Sequence, residues 1–198
     1  IVTGELEPGQ VYSAPRLGAQ FGVSATPVRE AMLDLLKEGL VRTVRNKGFE
    51  VLAPSPVALH DILEVRQLLE VPIVRRLAER GVREADLVAL LPLAQETVRT
   101  ADELDIVGHV AADMKFHLAL LDLWGNDEIT EMVRALRSRS RLAGLWSSEN
   151  HEAMCESARE HLTLLDLLRR RDHVGAEELM QSHMNRAASL WSKSSTAR

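Results

Sequence analysis

Two short helical stretches joined by a glycine turn, followed at once by a pair of strands, constrain this chain more than any other feature. Ser13 is placed to cap the first helix. Pro15 falls early in it, where a missing N–H costs nothing, and the helix is expected over Pro15 to Phe21. Gly22-Val23-Ser24 makes a tight turn, and Thr26-Pro27 opens a second helix with Thr26 or Ser24 as its cap. Val28, Met32, Leu35 and Leu36 form one apolar stripe on that helix, which stops at Gly39. Leu40 to Val44 reads as a strand, Arg45-Asn46-Lys47-Gly48 as a turn tip, and Phe49 to Leu52 as the returning strand. Helix, turn, helix and hairpin in that order make a winged helix-turn-helix. Such a unit presents the N-terminal turn of its second helix to the major groove of DNA, while Lys47 and the Gly48 backbone can approach phosphate or the minor groove. Residues 1–9 are expected to be the frayed end of a helix and its exit, punctuated by Gly4 and Pro8-Gly9. Ile1 is not Met, so further residues are expected upstream.

Charge singles out the same stretch. The chain of 198 residues carries a net charge of −5. Between Pro15 and Gly48, however, six basic residues (Arg16, Arg29, Lys37, Arg42, Arg45, Lys47) face three acidic ones (Glu30, Asp34, Glu38), a balance of +3. A small basic head on an acidic body implies that only the head meets an anionic partner. Cys155 is the single cysteine, which excludes an internal disulfide framework and fits a reducing cytoplasm. No apolar run approaches the length that spans a bilayer.

Ala53-Pro54-Ser55-Pro56 is a stiff linker. Beyond it only helices are expected, over about 57–80, 84–100, 106–123, 127–147, 152–171 and 173–191, with Pro72 and Pro92 inside the first two. With aromatics at 4%, their core must come from Leu, Val, Ala and Ile. The expected class is therefore mainly α: an N-terminal winged helix-turn-helix over residues 1–53, a linker at 54–56, an all-helical bundle of six to seven helices over 57–191, and a polar tail over 192–198.

The head residues closely resemble those of GntR-family transcription regulators: Pro8-Gly9, Leu17, the run Phe21 to Ala31, Glu38 to Val41, and Asn46 to Phe49. The body resembles the FCD effector domain of the FadR-like branch of that family. The residues that carry this second likeness are Glu64-Val65-Arg66, Leu69-Glu70-Val71-Pro72, Asp113 to His117, Gly125-Asn126, Glu160-His161, Leu168 to Asp172, and Ser182-His183-Met184. The resemblance implies a homodimer on double-stranded operator DNA, with repression as the commoner mode. It implies DNA contacts from Arg29 first, then Ser24, Thr26, Lys47 and Gly48. The position after Ser24 is commonly Arg in the family and is Ala25 here, and an Arg of the first helix falls near Pro15, with Arg16 beside it. Both departures bear on operator sequence.

Asp113 and His117 stand four apart, on one face of a helix, where they can hold one metal ion together. Spacing alone is weak evidence, because helices carry such pairs by chance. The family likeness adds His161 and His183 and implies a site for a divalent transition metal, zinc first, with nickel, manganese and iron also compatible. Open coordination positions would take a small carboxylate, and arginine forks suit its second oxygen. The candidates are Arg66, by the family match, and Arg137 and Arg141, which share a helical face with Arg134. Trp124, Trp146 and Trp191 are expected to be packing residues. Two alternatives remain: a metal-responsive regulator in which the ion is the signal, and a metal-dependent enzyme. The second lacks a His-Glu-x-x-His motif and a general base placed by spacing.

Overall fold

In the computed structural model, residues 5–52, 54–140 and 150–195 are described, with side chains up to Arg186. The head begins with strand β1 (Val11–Tyr12) and helix α1 (Ala14–Phe21). Ser13 Oγ accepts the N–H of Arg16 at 3.4 Å, and Gly22 closes the helix in the left-handed region. Helix α2 (Ala25–Lys37) follows Ser24, which occupies the cap position without a side-chain cap bond. Strands β2 (Val41–Val44) and β3 (Gly48–Val51) pair antiparallel, with Arg42 opposite Glu50 and Thr43 opposite Phe49. On the outer face Arg42 donates to Glu50 at 3.0 and 3.1 Å. On the inner face Val41, Phe49 and Val51 join Leu17, Val28 and Met32 in a small core of their own.

The sheet has three strands rather than two, in the order β1-β3-β2. Val11 pairs Glu50 and Tyr12 pairs Phe49, a two-residue strand with too short a pattern to read in sequence. The helix expected before it is not found over residues 5–10, which form bends and turns. There the chain is held instead by the Gly9 N–H to Val51 O and by the Glu7 N–H to Tyr12 Oη, at 2.8 and 2.9 Å.

The body contributes α3 (Pro56–Arg80), α4 (Glu84–Asp102), α5 (Ile106–Asp122), α6 (Asp127–Ser140), α7 (His151–Arg169) and α8 (His173–Ser195). Ser55 caps α3 through the N–H of Ala58 at 3.1 Å, with Pro56 in the first turn. Asp105 caps α5 through the N–H of Gly108 at 2.9 Å. Pro72 and Pro92 end neither α3 nor α4. The expected extension of α6 to Ser147 lies outside the described residues. Helix α8 continues to Ser195, into the stretch expected to be tail.

Helix α3 lies along α8, and α4 packs on α5 and α7. Leu77, Leu87, Phe116, Leu120, Leu168, Met180 and Met184, each with 1% exposure or less, form the core. Truncating one of them, such as Phe116→Ala, costs about 3–5 kcal/mol. Helix α5 is buried on several sides, so Phe116, His117, Leu120 and Leu121 are all covered. A polar side chain on α5 therefore needs a partner inside the bundle. Among the described residues no helix is long and apolar enough to cross a membrane.

Candidate functional site

Asp113 and His117 project from α5 into the space between α7 and α8, where His161 and His183 meet them. One ligand atom from each of the four lies within 4.8 Å of all the others. His161 Nε2 is 3.2 Å from His117 Nε2. Asp113 Oδ1 is 3.5 Å from the first shared neighbour, His117, and 3.6 Å from His161. Atoms bound at about 2.0–2.1 Å around one ion stand about 2.9–3.4 Å apart at octahedral or tetrahedral angles. The spacings among Asp113, His117 and His161 are close to that range, and His183 stands within the wider 4.8 Å.

The outer nitrogens fix which way the rings face. Thr97 gives its hydroxyl hydrogen to Ala94 O at 2.7 Å, so its oxygen accepts from His161 Nδ1 at 2.9 Å. Glu160 accepts from His183 Nδ1 at 2.8 Å and is itself held by Arg186. His117 Nδ1 looks toward Glu70 Oε2 at 3.9 Å. With its proton on Nδ1, His161 turns the Nε2 lone pair inward, toward His117 Nε2 and the Asp113 carboxylate. Either a proton on His117 Nε2 or a cation can sit among these acceptors, and outer carboxylate and hydroxyl partners are the usual support of metal-binding imidazoles. The donors therefore fit a divalent ion. Phe116 packs its ring against His161 with centroids 4.4 Å apart and limits the movement of that imidazole.

Electrostatics favour the same protonation states. Burial, reinforced by the Arg137 charge, brings His117 down to about 4. Burial and the neighbouring His117 and His183 push His161 well below its ordinary value. Packing around Asp113 opposes its charge, but His117, Arg137 and His161 outweigh it and hold the carboxyl well below the usual range. Two neutral imidazoles and an ionised carboxylate are the forms that bind a metal.

Beside the ligand set lies a charged layer. Glu70 is fully buried, and both of its oxygens are occupied. Arg66 Nε donates to Oε1 at 2.7 Å, and Arg137 donates to Oε2 through Nη2 at 2.5 Å and Nε at 3.2 Å. Arg137 also donates to Asp113 Oδ2 at 3.1 Å. Burial works against the Glu70 charge, yet Arg137 and Arg66 bring its carboxyl down to about 2. Of the candidate effector arginines, Arg66 and Arg137 thus meet at the site but grip an internal carboxylate, and Arg141 lies outside the described residues. Arg134 is turned outward onto Glu131. Trp124 takes Arg80 over its ring at 5.2 Å, a packing role at a helix end. Trp146 and the side chain of Trp191 fall outside the described residues.

Sequence reading did not give Glu70 a role. Beyond its place in the Leu69-Glu70-Val71-Pro72 run of the family likeness, its signal was Arg66 four residues earlier, a spacing that usually marks a solvent-exposed helix pair. Glu160 entered only beside His161 in the family likeness, and Thr97 gave no signal.

In the head, Arg29 on α2 and Lys47 and Gly48 at the wing tip line one surface groove with Thr43, Arg45 and Asn46. Ser24 and Thr26 are exposed at the start of α2. Arg29 and Lys47 make no ion pair among the described residues. Gly48 has a structural reason to be glycine apart from any DNA. Its φ is +130°, and a Cβ there would lie 2.2 Å from Tyr12 O on β1.

The model for the FCD domain matches residues 61–186, and that for the bacterial regulatory proteins of the gntR family matches residues 1–51. The chain belongs to the GntR family. The Nta operon transcriptional regulator of Aminobacter aminovorans is 30% identical over 186 residues, 93% of this chain and 87% of that protein. The transcriptional repressor GlaR of Escherichia coli K12 is 26% identical, again over 93% of this chain and 87% of the relative. Among solved structures, McbR/YncC of E. coli shares the fold with a TM-score of 0.80 at 24% identity, over 97% of this chain and 91% of that one. A regulator from Rhodococcus sp. RHA1 superposes with a TM-score of 0.74 at 25% identity, over 100% and 92%. This GntR protein is a DNA-binding transcription regulator, as its relatives are, and not an enzyme; several relatives are named repressors.

Proposed function

We propose that this regulator binds a divalent metal through Asp113, His117, His161 and His183, and that a small organic acid bound beside the ion controls its hold on operator DNA. One observation carries the reading. Without an ion the buried charges beside the site cancel: Arg66 and Arg137 against Glu70 and Asp113, with His117 and His161 neutral. A divalent cation turns that balanced set into +2 in a site shielded from water. A buried excess of positive charge calls for an anionic complement. A carboxylate meets that need and can occupy a metal position at the same time. Zinc is the first choice of ion for a His/Asp set. One relative is named for a gluconate operon, and gluconate is a carboxylate.

Helix α6 supports a route from the site to the head. Arg137 binds Glu70 and Asp113, and two residues later the Arg139 side chain runs past Gly39, which ends α2; a Cβ on Gly39 would lie 3.8 Å from Arg139 Cδ. A shift of α6 reaches the C-terminal end of the helix that carries Ser24, Thr26 and Arg29. Operator contact is assigned to those residues with Lys47 and Gly48.

A homodimer fits this function, because one head makes few contacts and two heads read a palindrome. The outer face of α3 supports self-pairing: Val65 and Leu68 are 41% and 69% exposed, with Asp61 toward one end and Arg76 toward the other. An antiparallel second copy of α3 would set Asp61 against the partner's Arg76.

A second reading has its own support. Glu70 already engages Arg66 and Arg137, so neither arginine stands open for a carboxylate, and in this reading the ion itself is the signal. Operator binding measured with and without chelator, then with candidate acids at fixed zinc, separates the two. Response to acids at constant metal supports the effector reading; a response to chelation and to no acid overturns it.

A further inference from the structure

Glu70 stands outside the four-residue ligand set, with both oxygens engaged by arginine and no side-chain surface open to solvent. Its two oxygens hold three arginine hydrogen bonds, and it is not among the residues whose ligand atoms converge. Its effect on the site is therefore through its charge and through the arginines it holds. Nearby Arg186 is shared between Glu160 and Glu156; Glu156 is half exposed to water, so this outer group is screened and the balance is drawn over the buried set alone. We propose that Glu70 is the specificity-determining counter-charge of the site and sets the anion that the metal-loaded protein accepts at two negative charges, a dicarboxylate in preference to a monocarboxylate. This deepens the effector reading above and rests on it.

The reasoning is electrostatic. In the metal-loaded site the excess is +2. Removing the Glu70 charge alone makes it +3; removing the Arg66 charge alone makes it +1; removing both restores +2. Coulomb energy in a water-poor site scales with that excess, so the preference for a doubly over a singly charged acid of one shape follows the same order. A merely structural Glu70 would lower all affinities together and leave the preference unchanged. Arg66 acts here through Glu70, its bonded partner, as a positioning residue.

Malonate and its monoamide, malonamate, have nearly one shape and differ by one charge. Calorimetric titration of both into zinc-loaded protein gives the preference as a ratio of dissociation constants. Zinc content per chain and thermal unfolding are read in parallel for every variant. Wild type is expected to prefer malonate by about tenfold or more. Glu70→Gln should raise that ratio by about tenfold again, and Arg66→Gln should lower it by a similar factor. The double variant Arg66→Gln/Glu70→Gln should return within about threefold of wild type. It leaves no buried charge unpaired, so it decides the matter even if a single variant does not fold. A ratio that stays constant across the folded variants, or a double variant that loses the preference, overturns the proposal while leaving the effector reading in place. If neither acid binds wild type carrying one zinc per chain, the carboxylate reading is itself wrong and this inference falls with it.

Discussion

The head and the body hold their important arginines in opposite ways. Arg29, on the head, stands exposed with no ion-pair partner among the described residues, in a groove it shares with the wing tip. Arg66 and Arg137, in the body, are 7% and 6% exposed and tied to a carboxylate that has no exposure at all. A cation kept in water and left unpaired costs the fold little and is available to phosphate. A cation buried among helices is tolerable only if paired, and its pairing becomes part of the fold. Changes at the exposed head cations should therefore alter DNA binding without altering stability, and changes to the buried charges of the body should alter stability first.

The largest effect should come from Glu70→Ala, which strands two buried guanidinium groups. Unfolding in urea is expected to show a loss of about 3–5 kcal/mol, against little change for Arg29→Ala. Equal stability of the two variants would erase the contrast. Next is pH. In metal-free protein His117 is held at about 4, below its ordinary 6.5, so between those values the unfolded chain binds the proton more readily. Stability should fall as pH drops through that window, by roughly 3 kcal/mol, and should not change above it on this account. Melting curves of chelated protein from pH 7.5 to 4.5 measure this, and a flat profile would contradict a neutral buried His117.

Zinc at one-hundredfold over its dissociation constant should stabilise the folded chain by about 2.7 kcal/mol. His161→Ala should abolish most of that gain and most of the bound zinc while leaving unliganded operator affinity nearly intact. Parallel loss of zinc and of DNA binding would indicate a damaged fold. In the head, Arg29→Ala should weaken operator binding by about 1–3 kcal/mol with no shift in the urea midpoint. The smallest change is expected from Lys47→Ala: a uniform weakening across DNA sequences and a salt slope reduced by about 1. A sequence-dependent loss at Lys47 would make it a base contact instead.

Two helices and a hairpin were legible because their signals are local. Ser13, Gly22, Gly39 and the Asn46-Lys47-Gly48 tip each act within a few residues. Strand β1 was not legible, since two residues carry no alternation and their pairing is chosen by β3, far along the chain. At the site, Asp113 and His117 could be paired from helix spacing. His161 and His183 could be added only through family likeness, because nothing local says which face of α7 or α8 meets α5.

What sequence alone determined is the local periodicity: a basic winged head, six apolar helical stripes, and one Asp-x3-His pair on a single helical face. The tertiary structure decided the rest. Packing α3, α5, α6, α7 and α8 together buried Glu70 between Arg66 and Arg137 and brought Arg137 to Asp113. It also turned His117 Nε2 and His161 Nε2 toward one another, 3.2 Å apart. Those outcomes depend on which helix faces are excluded from water together, and burial is a property of the assembled bundle rather than of any one stretch of chain.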